Sequence, residues 1–371
     1  VMTREHLEAI INKYNLFETG SRRLTLTEKI EEMRNAISVA LVSAAVKGRG
    51  EVTIAFRLAF EHREPEVANE VANELVTLFL NENLKQRTER ANETTEFLTQ
   101  EANKLGAELA SLEAPAAWQA IDLVSDLHLD PSHPKTAQAF LDYLTHTRAD
   151  AVLLLGDIFE AWVGDDMRHQ RFEAHCTEAL RQAAQRRWLG IMVGNRDFLM
   201  GAEFMAACGA QALPDPLVLC AHGQRHLITH GDAWCLEDGP YLAFRAQVRQ
   251  TPWQQAFLSQ PLSKRLETAR QMRAASEARK AATSATPETW ADVDAARAIA
   301  WLQAARTGSL IHGHTHRPGW SALGQAPDGS VLGRQVLSDW ELDHTPTPRA
   351  EVLRLSPSGV KRLTPAEACH G

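Results

Sequence analysis

The sequence contains few cysteines and no long apolar run, and each shortage excludes a class of protein. Its five cysteines are an odd number and form no C-x-x-C pair. We therefore expect neither a disulfide framework nor a zinc knuckle. We expect reduced thiols in the cytoplasm. No window reaches the roughly 18–20 apolar residues of a transmembrane helix, the best candidate being 36–46. A spanning segment is therefore excluded.

Positive charge is also in deficit. The 371 residues carry a formal net charge of −8, which argues against a general nucleic-acid binder. The amino terminus lacks the basic and then apolar order of a signal peptide. With 44% hydrophobic and 23% charged residues, the composition is typical of a globular protein long enough for two domains. We expect partners that are small or locally recognised, and no nucleic acid.

The first part of the chain, residues 1–113, reads as a small α+β domain with a long helix. Apolar spacing predicts helices at 3–15 and 26–37, and alternation predicts a half-buried strand at 51–61. Pro65 then opens a helical run that meets no breaker but Gly106 before Pro115. A helix of that length gains little by itself. We therefore expect its apolar face to mediate self-association.

No catalytic cluster is evident in this part, and its carboxylates are spread over helix faces, so we expect a scaffold. The order of the helices, the strand and "AFRLAFEHREPEVANEVANELVTLFLNENL" resemble the periplasmic domain of polysaccharide chain-length determinant proteins. In that family membrane helices flank the domain, and this sequence has none. A fusion, natural or engineered, fits the two unlike parts of the chain.

After a linker at 114–118, short apolar strands alternate with helical segments through 119–371, which indicates an α/β domain. Metal-ligand residue types follow five of the predicted strands. In chain order they are Asp126 and His128, Asp157, Asn195, His230, and His314 with His316.

The positions of these residues favour a metal site. The carboxyl ends of strands in an open α/β sheet are where such folds place their sites. Aspartate, asparagine and histidine without cysteine suit a borderline or hard ion such as Mn²⁺. Seven ligands exceed the need of one ion, which favours a two-ion site of the kind used in phosphoryl transfer. On an extended backbone, His312, His314 and His316 would all face one side.

The ordered series D-x-H, GD, GNRD, HGD and GHTH resembles the calcineurin-like metallophosphoesterase superfamily. The resemblance implies an α/β sandwich with a helical cap and a two-metal active site. It gives one ion to Asp126, His128 and His316. It gives the other ion to Asn195, His230 and His314, with Asp157 bridging both. His312 would then be a structural or supporting residue.

"FEAWVGDD", "GNRDFLMG" and "HGDAWCLEDGPYLAFRAQVR" are similar to the UDP-2,3-diacylglucosamine hydrolases of lipid A biosynthesis. That resemblance implies cleavage of a UDP-linked diacylglucosamine at the cytoplasmic face of the inner membrane, and a helical cap at 251–304. It implies that Asn195 and Arg196 act in catalysis. The residues it places against substrate are Asn195, Arg196, Asp238, Tyr241, Arg245, Ser276 and His314, with Lys280 as a substitute for a displaced cap lysine.

Two alternatives stay open at this point. The altered cap sequence "EARKAATSATPETWADVD" allows a different nucleotide diphosphate compound or phosphodiester as substrate. The long helix allows a scaffold protein whose phosphoesterase part is inactive. Complete retention of the ligand series argues against the second alternative.

Overall fold

The computed structural model describes residues 3–18, 24–46, 50–81, 85, 109–282 and 291–370. Within these ranges it does not describe the side chains of 41–46, 50–55 and 276–282. The chain divides into two compact units, Val1–Thr99 and Gln100–Gly371. None of the described helices has the length and apolar content to cross a bilayer.

The first unit combines helices with a two-stranded antiparallel sheet. Its elements are α1 (Arg4–Lys13), α2 (Leu26–Ala36), β1 (Ile37–Val46), β2 (Gly50–Phe60) and α3 (65–81). Thr3 caps α1, and Thr25 with Glu28 forms a reciprocal capping box at the start of α2, which satisfies amide donors that a helix start leaves unpaired. The predicted helices and strand are confirmed, and the apolar stretch considered as a membrane candidate forms β1.

The long helix predicted from Pro65 is described as helical over 65–81 and at residue 85, and the rest of it up to 108 lies outside the described residues. Its predicted end is wrong. Ala110–Glu113 is a strand, β3, that pairs in parallel with Leu217–Cys220. Tertiary pairing at a sheet edge overrides the helix propensity of "ASLE". The predicted linker at 114–118 therefore lies inside the second unit.

The second unit contains two six-stranded sheets. The first sheet has the order β14-β13-β4-β5-β6-β7 and the second β11-β12-β10-β9-β8-β3. The strand bounds are β4 Ile121–Val124, β5 Ala151–Leu155, β6 Trp188–Met192, β7 Gln211–Ala212, β8 Leu217–Ala221, β9 Gln224–Thr229, β10 Ser309–His312, β11 Gly319–Gln325, β12 Val331–Val336, β13 Val352–Ser356 and β14 Gly359–Leu363.

Alternation along the strands explains how the two sheets stack. Ala151, Leu153 and Leu155 of β5 join a buried cluster with Leu219 and Ile228 of the opposite sheet. The intervening side chains of β5 face helices on the outer side. Because both faces of the central strands are buried, these strands are apolar throughout. The result is a four-layered α/β sandwich, in agreement with the predicted α/β class.

Helices cover the outer faces of this sandwich and extend above it. They are α4 Pro134–His146, α5 Arg171–Ala184, α6 Ala202–Cys208, α7 Gly239–Val248, α8 Thr251–Leu258, α9 Leu262–Ala282, α10 Ala295–Ala305 and α11 Pro365–His370. All five cysteines are free thiols, as expected; Cys176, Cys208 and Cys235 are buried.

The predicted cap range, 251–304, includes one helix that belongs to the sandwich. Trp301 and Leu302 of α10 pack into a cluster with Val218, Leu227 and Leu310 of the second sheet. The alanine-rich sequence of α10 did not distinguish a cap helix from a packed one, because both are apolar on one face. In α8 and α9, Phe257 is buried in the core of the first sheet, and Trp253, Leu262 and Leu266 pack against it.

Candidate metal centre

The predicted ligand residues follow neighbouring strands at one end of both sheets. Strands β4, β5 and β6 are adjacent and parallel in one sheet, and β9 and β10 are adjacent and parallel in the other. Loops after β4 and β5 remain joined by backbone hydrogen bonds, with Asp126 N to Gly156 O at 3.1 Å and His128 N to Asp157 O at 3.0 Å. The sandwich therefore brings distant sequence segments to one place.

Five of the predicted ligands have left-handed backbone conformations, with φ between 47° and 64° at Asp126, His128, Asp157, His314 and His316. This region is unfavourable for residues other than glycine. Such strain persists only where the surrounding structure imposes it, and it is concentrated at functional sites. The turns also correct the prediction that His312, His314 and His316 share one face, because β10 ends at His312 and no extended backbone follows.

One group of potential ligands consists of Asp126, His128 and His316, whose ligand atoms all lie within 4.8 Å of one another. His128 Nε2 is 3.3 Å from His316 Nε2, which is in turn 3.4 Å from Asp126 Oδ1. Asp126 is fully buried and accepts hydrogen bonds from Ser125 Oγ and from the backbone amide of His314. The His314 amide donates to both carboxylate oxygens, at 3.1 and 2.9 Å, which fixes the carboxylate beside the histidines.

A second group with the same spacing consists of Asp157, His230 and His314. His230 Nε2 lies 3.6 Å from Asp157 Oδ1 and 3.1 Å from Asn195 Oδ1. Its Nδ1 lies 2.9 Å from the backbone carbonyl of Leu155, a contact that orients the ring and directs Nε2 into the group. The structure thus places Asn195 beside this group, and the predicted division of the ligands between two ions stays a prediction.

The electrostatics of both groups favour a cation. Burial opposes the charged form of His230, yet the carboxylates of Asp157, Asp126 and Asp232 raise its pKa to about 9. Burial likewise opposes the charge of Asp126, but the neighbouring histidines His316, His230 and His128 hold its pKa far below the usual value. Burial lowers the pKa of His128 and of His314 to about 4, so both imidazoles are neutral nitrogen donors at neutral pH. The nitrogen and oxygen donors therefore suit divalent ions.

Two glycines are required by close approach to the ligands. A Cβ on Gly194 would lie 2.1 Å from Asp157 Oδ1, and one on Gly313 would lie 2.4 Å from Asp126 Oδ2 and from Ser125 Oγ. Those distances are well inside van der Waals contact. The glycines of "GNRD" and "HGHTH" therefore serve the packing of the two carboxylates.

Buried carboxylates support the ligands from behind. Asp197 accepts hydrogen bonds from the amides of Gly194 and Ile158, at 2.7 Å each, and so shapes the loops that carry Asn195 and Asp157. Burial and the charge of Asp157 raise the pKa of Asp197 to about 6. Asp339 lies 3.5 Å from His316 Nδ1 and is paired with Arg349. Carboxylates behind metal-binding histidines fix ring orientation and tautomer.

Glu160, which sequence reasoning did not single out, lies beside a ligand histidine and Arg196. Its Oε2 lies 3.1 Å from His128 Nδ1, and its Oε1 lies 3.2 Å from Arg196 Nη1. Glu160 lies in the segment "FEAWVGDD", which carried the family resemblance, but the sequence pattern assigned no role to this glutamate. His312 is fully buried with Nδ1 2.9 Å from the carbonyl of Gly313, and it belongs to neither ligand group.

The predicted substrate residues on α7 make contacts within the protein. The hydroxyl of Tyr241 donates to Asp232, and Arg245 Nε donates to the same carboxylate oxygen at 2.8 Å. Asp238 is exposed, and its side chain accepts a hydrogen bond from the backbone amide of Tyr241 as the N-cap of α7. Burial opposes the charge of Asp232, but His230 and Arg245 hold its pKa low. Their contact with substrate stays a prediction.

A buried arginine, also missed from the sequence, joins α9 to the loop after β5. Arg265 is 3% exposed, donates to the carbonyl of Val163 at 2.6 Å and pairs with Asp166. Gly164, with a φ of 139°, leaves room for this guanidinium. Ser276 and Lys280 lie further along α9, where the side chains are outside the described residues, so their predicted roles are not addressed by the structure.

Two groups of potential metal ligands therefore lie at the strand ends of a two-sheet α/β sandwich. Sequence relatives identify the family to which the chain belongs. The UDP-2,3-diacylglucosamine hydrolase of Bordetella parapertussis is 42% identical over 243 residues, which are 64% of this chain and 92% of the relative. The chain belongs to the UDP-2,3-diacylglucosamine hydrolase family.

Two further sequence relatives carry the same name. The UDP-2,3-diacylglucosamine hydrolase of Xanthomonas oryzae is 42% identical over 64% of this chain and 95% of its own length, and that of Xanthomonas campestris is 44% identical over 58% and 90%. No family model matches the chain. Similar solved structures include a dimetal phosphatase from Danio rerio (TM-score 0.33, 14% identity, 68% of this chain and 99% of the other). They also include the E. coli phosphoesterase Yfce (TM-score 0.31, 13% identity, 66% and 93%).

Proposed function

We propose that the chain hydrolyses the pyrophosphate bond of UDP-2,3-diacylglucosamine, releasing 2,3-diacylglucosamine 1-phosphate and UMP. The observation that carries the proposal is the 42% identity over 92% of a hydrolase with that substrate in its name. Both ligand groups are intact in this chain. The two observations point to one reaction, because the sequence relationship specifies the substrate and the ligand groups specify the chemistry.

We further propose that the site holds two Mn²⁺ ions, one on Asp126, His128 and His316 and the other on Asn195, His230 and His314. Asp157 would bridge them, since it contacts His230 and lies on the loop joined to that of His128. When bound, two divalent ions supply an acidic water as nucleophile at neutral pH and a clamp for the attacking and leaving oxygens.

The protein residues orient the substrate and balance its charge. Arg196 follows the ligand Asn195, and its backbone amide donates to Asp157 Oδ1 at 2.8 Å. Its guanidinium, which pairs with Glu160 and is 31% exposed, would neutralise charge that develops on the phosphoryl oxygens, a role that suits its fixed array of donors. Asn195 and His314 would contact the same phosphate, with Asp238, Tyr241, Arg245, Ser276 and Lys280 around the nucleotide and glucosamine.

The test is cleavage of UDP-2,3-diacylglucosamine by metal-stripped protein, with Mn²⁺ restored or with chelator present, scored as UMP release. We expect UMP only when Mn²⁺ is restored. Protein that binds two ions and releases no UMP would contradict the substrate assignment. A chain that binds no Mn²⁺ would contradict the metal assignment.

A second substrate class is favoured by one observation, the cap sequence after Ser276, which departs from the family pattern. The alternative is a metallophosphoesterase for another nucleotide diphosphate or a phosphodiester. Comparing a water-soluble UDP-sugar with the diacylated substrate separates the two, because only the family reaction requires acyl chains. The scaffold alternative instead requires a full chain that forms oligomers and hydrolyses neither.

A diacylated substrate would bring the enzyme to the cytoplasmic surface of the inner membrane. Leu258 of α8 and Met272 of α9 are large apolar side chains that are each 41% exposed, which supports peripheral contact through the cap helices. Flotation with anionic lipid vesicles tests the proposal, and protein that stays wholly unbound in the presence of substrate would contradict it.

A further inference from the structure

The carboxylate of Glu160 lies between the metal ligands, the phosphate-binding arginine and the cap. Glu160 follows β5, and its backbone amide donates to the carbonyl of Leu129 at 3.2 Å. The side chain is only 11% exposed. Around it the loop is fixed by Phe159 and Trp162, which are both buried and whose rings lie 4.8 Å apart. The carboxylate is therefore held in place by packing rather than by solvent-exposed contacts.

Three positive or polarisable groups from different segments meet this carboxylate. Glu160 Oε2 is 3.1 Å from His128 Nδ1, and Oε1 is 3.2 Å from Arg196 Nη1. Arg273 of α9 forms an ion pair with the same Oε1. Neither His128 Nδ1 nor Glu160 Oε1 has an aligned hydrogen-bond partner. These are close charge contacts, and catalytic contacts of this kind are often loosely aligned before substrate binds.

The chemistry of the contact with His128 is directional. His128 Nε2 faces the ligand group, 3.3 Å from His316 Nε2, so Nδ1 is the nitrogen left for a supporting acceptor. A carboxylate on that nitrogen keeps the proton on Nδ1 and leaves Nε2 free for a metal ion. Asp339 occupies the corresponding position behind His316. Glu160 differs from Asp339 because its arginine partners include Arg196.

We propose that Glu160 is a positioning residue that orients the imidazole of His128 and the guanidinium of Arg196 for the reaction, and that Arg273 joins this carboxylate to the cap. The inference rests on the proposed function for what Arg196 does, and on the ligand group alone for what His128 does. Supporting residues of this kind are worth about 10–100-fold in metal affinity or activity.

The first test is the affinity of the metal-stripped Glu160→Gln variant for Mn²⁺, measured from the electron paramagnetic resonance of the free ion. Glutamine keeps the shape of the side chain and removes its charge. We expect one of the two binding steps to lose about 10–100-fold in affinity. The matched control is Glu203→Gln, because Glu203 is likewise paired with an arginine, Arg168, but its side chain is 72% exposed. Wild-type affinity in Glu160→Gln would overturn the role at His128.

The second test separates positioning of Arg196 from metal binding. At saturating Mn²⁺ we expect Glu160→Gln to keep a kcat deficit of about tenfold. That deficit should vanish in an Arg196→Gln background, because residues that act through one another are not additive. An unchanged deficit in that background would overturn the role at Arg196.

The two proposals fail in different ways. Wild-type protein that binds Mn²⁺ but releases no UMP contradicts the proposed substrate, and the kcat comparison then proceeds on bis(p-nitrophenyl) phosphate. Where Glu160→Gln does not fold, Glu160→Asp restores the charge with a shorter reach. Loss of cooperative unfolding in both variants would show a structural role and overturn the proposal.

Discussion

The two units of the chain bury different kinds of side chain. In the first unit the described core is wholly apolar, formed by Leu7, Ile10, Met33, Val71 and Leu75 with their neighbours. Every buried polar or charged residue among those that the structure describes lies between Asp122 and Arg354, in the second unit. The described core of the first unit is therefore stabilised by apolar burial. The second unit buries polar and charged groups, whose loss of hydration has to be compensated by hydrogen bonds or ion pairs.

That compensation is seen beyond the metal centre. Asp122 is fully buried and accepts two hydrogen bonds from Arg354, at 2.7 and 2.9 Å, and one each from Tyr143 and Thr147. A buried charge with this many partners is tolerated, whereas removal of one partner is costly. The comparison predicts that substitutions in the second unit change chemistry and that those in the first change only local stability.

The largest expected effect comes from Asp157→Ala. Loss of the proposed bridging carboxylate should reduce Mn²⁺-dependent UMP release by more than about 100-fold, because supporting residues alone are worth about 10–100-fold. The control is Asp328→Ala, since Asp328 lies in the exposed turn between β11 and β12 and accepts from Ser330. Retained activity in Asp157→Ala would end the bridging assignment.

Gly313→Ala tests the close packing behind Asp126. The new methyl group would displace Asp126 Oδ2 or Ser125 Oγ, each 2.4 Å from the ideal Cβ position. Overpacking of this kind costs about 1–3 kcal/mol, so we expect weaker Mn²⁺ binding together with a lower unfolding midpoint. Gly239→Ala is the control, because a Cβ there meets nothing within 4 Å. Unchanged Mn²⁺ affinity in Gly313→Ala would show that the carboxylate can shift freely.

Leu75→Ala tests the first unit by itself. Leu75 is fully buried in α3, and removing its side chain should lower the free energy of unfolding of that unit by about 2–5 kcal/mol. Hydrogen exchange of peptides from 3–81 should rise. All nine tryptophans follow residue 117, so tryptophan fluorescence reports only the second unit and should be unchanged, as should UMP release. A fall in UMP release would show that the first unit affects catalysis.

The smallest expected effect is on the pH dependence of the second unit. His226 is buried beside Ser309, and burial lowers its pKa to about 4. The unfolded chain binds the proton near pH 6.5, so this contribution to stability is complete above that pH and is lost as the pH falls toward 4. His226→Gln should therefore reduce, by up to about 2 kcal/mol, the fall in the free energy of unfolding between pH 7 and pH 5, as measured by urea titration. His146→Gln, at an exposed helix end, is the control, and an equal drop in all three proteins would contradict the argument.

The sequence by itself determined the residue types and their order. Alternation and helical spacing predicted the elements of the first unit. Asp126, Asp157 and His230 were recognisable because each follows a strand beside a glycine or another ligand. The family was recognisable from short segments such as "GNRDFLMG". These features are local sequence patterns, so they can be recognised without knowledge of the tertiary contacts.

Only the tertiary structure decided which residues meet. Glu160, Arg265 and Asp339 carry no local signal, because a lone charged residue after a strand looks like any surface charge. The strand at Ala110–Glu113 and the packing of α10 were likewise set by partners in the second sheet, such as Leu217 and Leu227, that lie far away in the chain. Long-range pairing and burial give such residues their roles, and neither quantity is contained in the spacing of nearby residues.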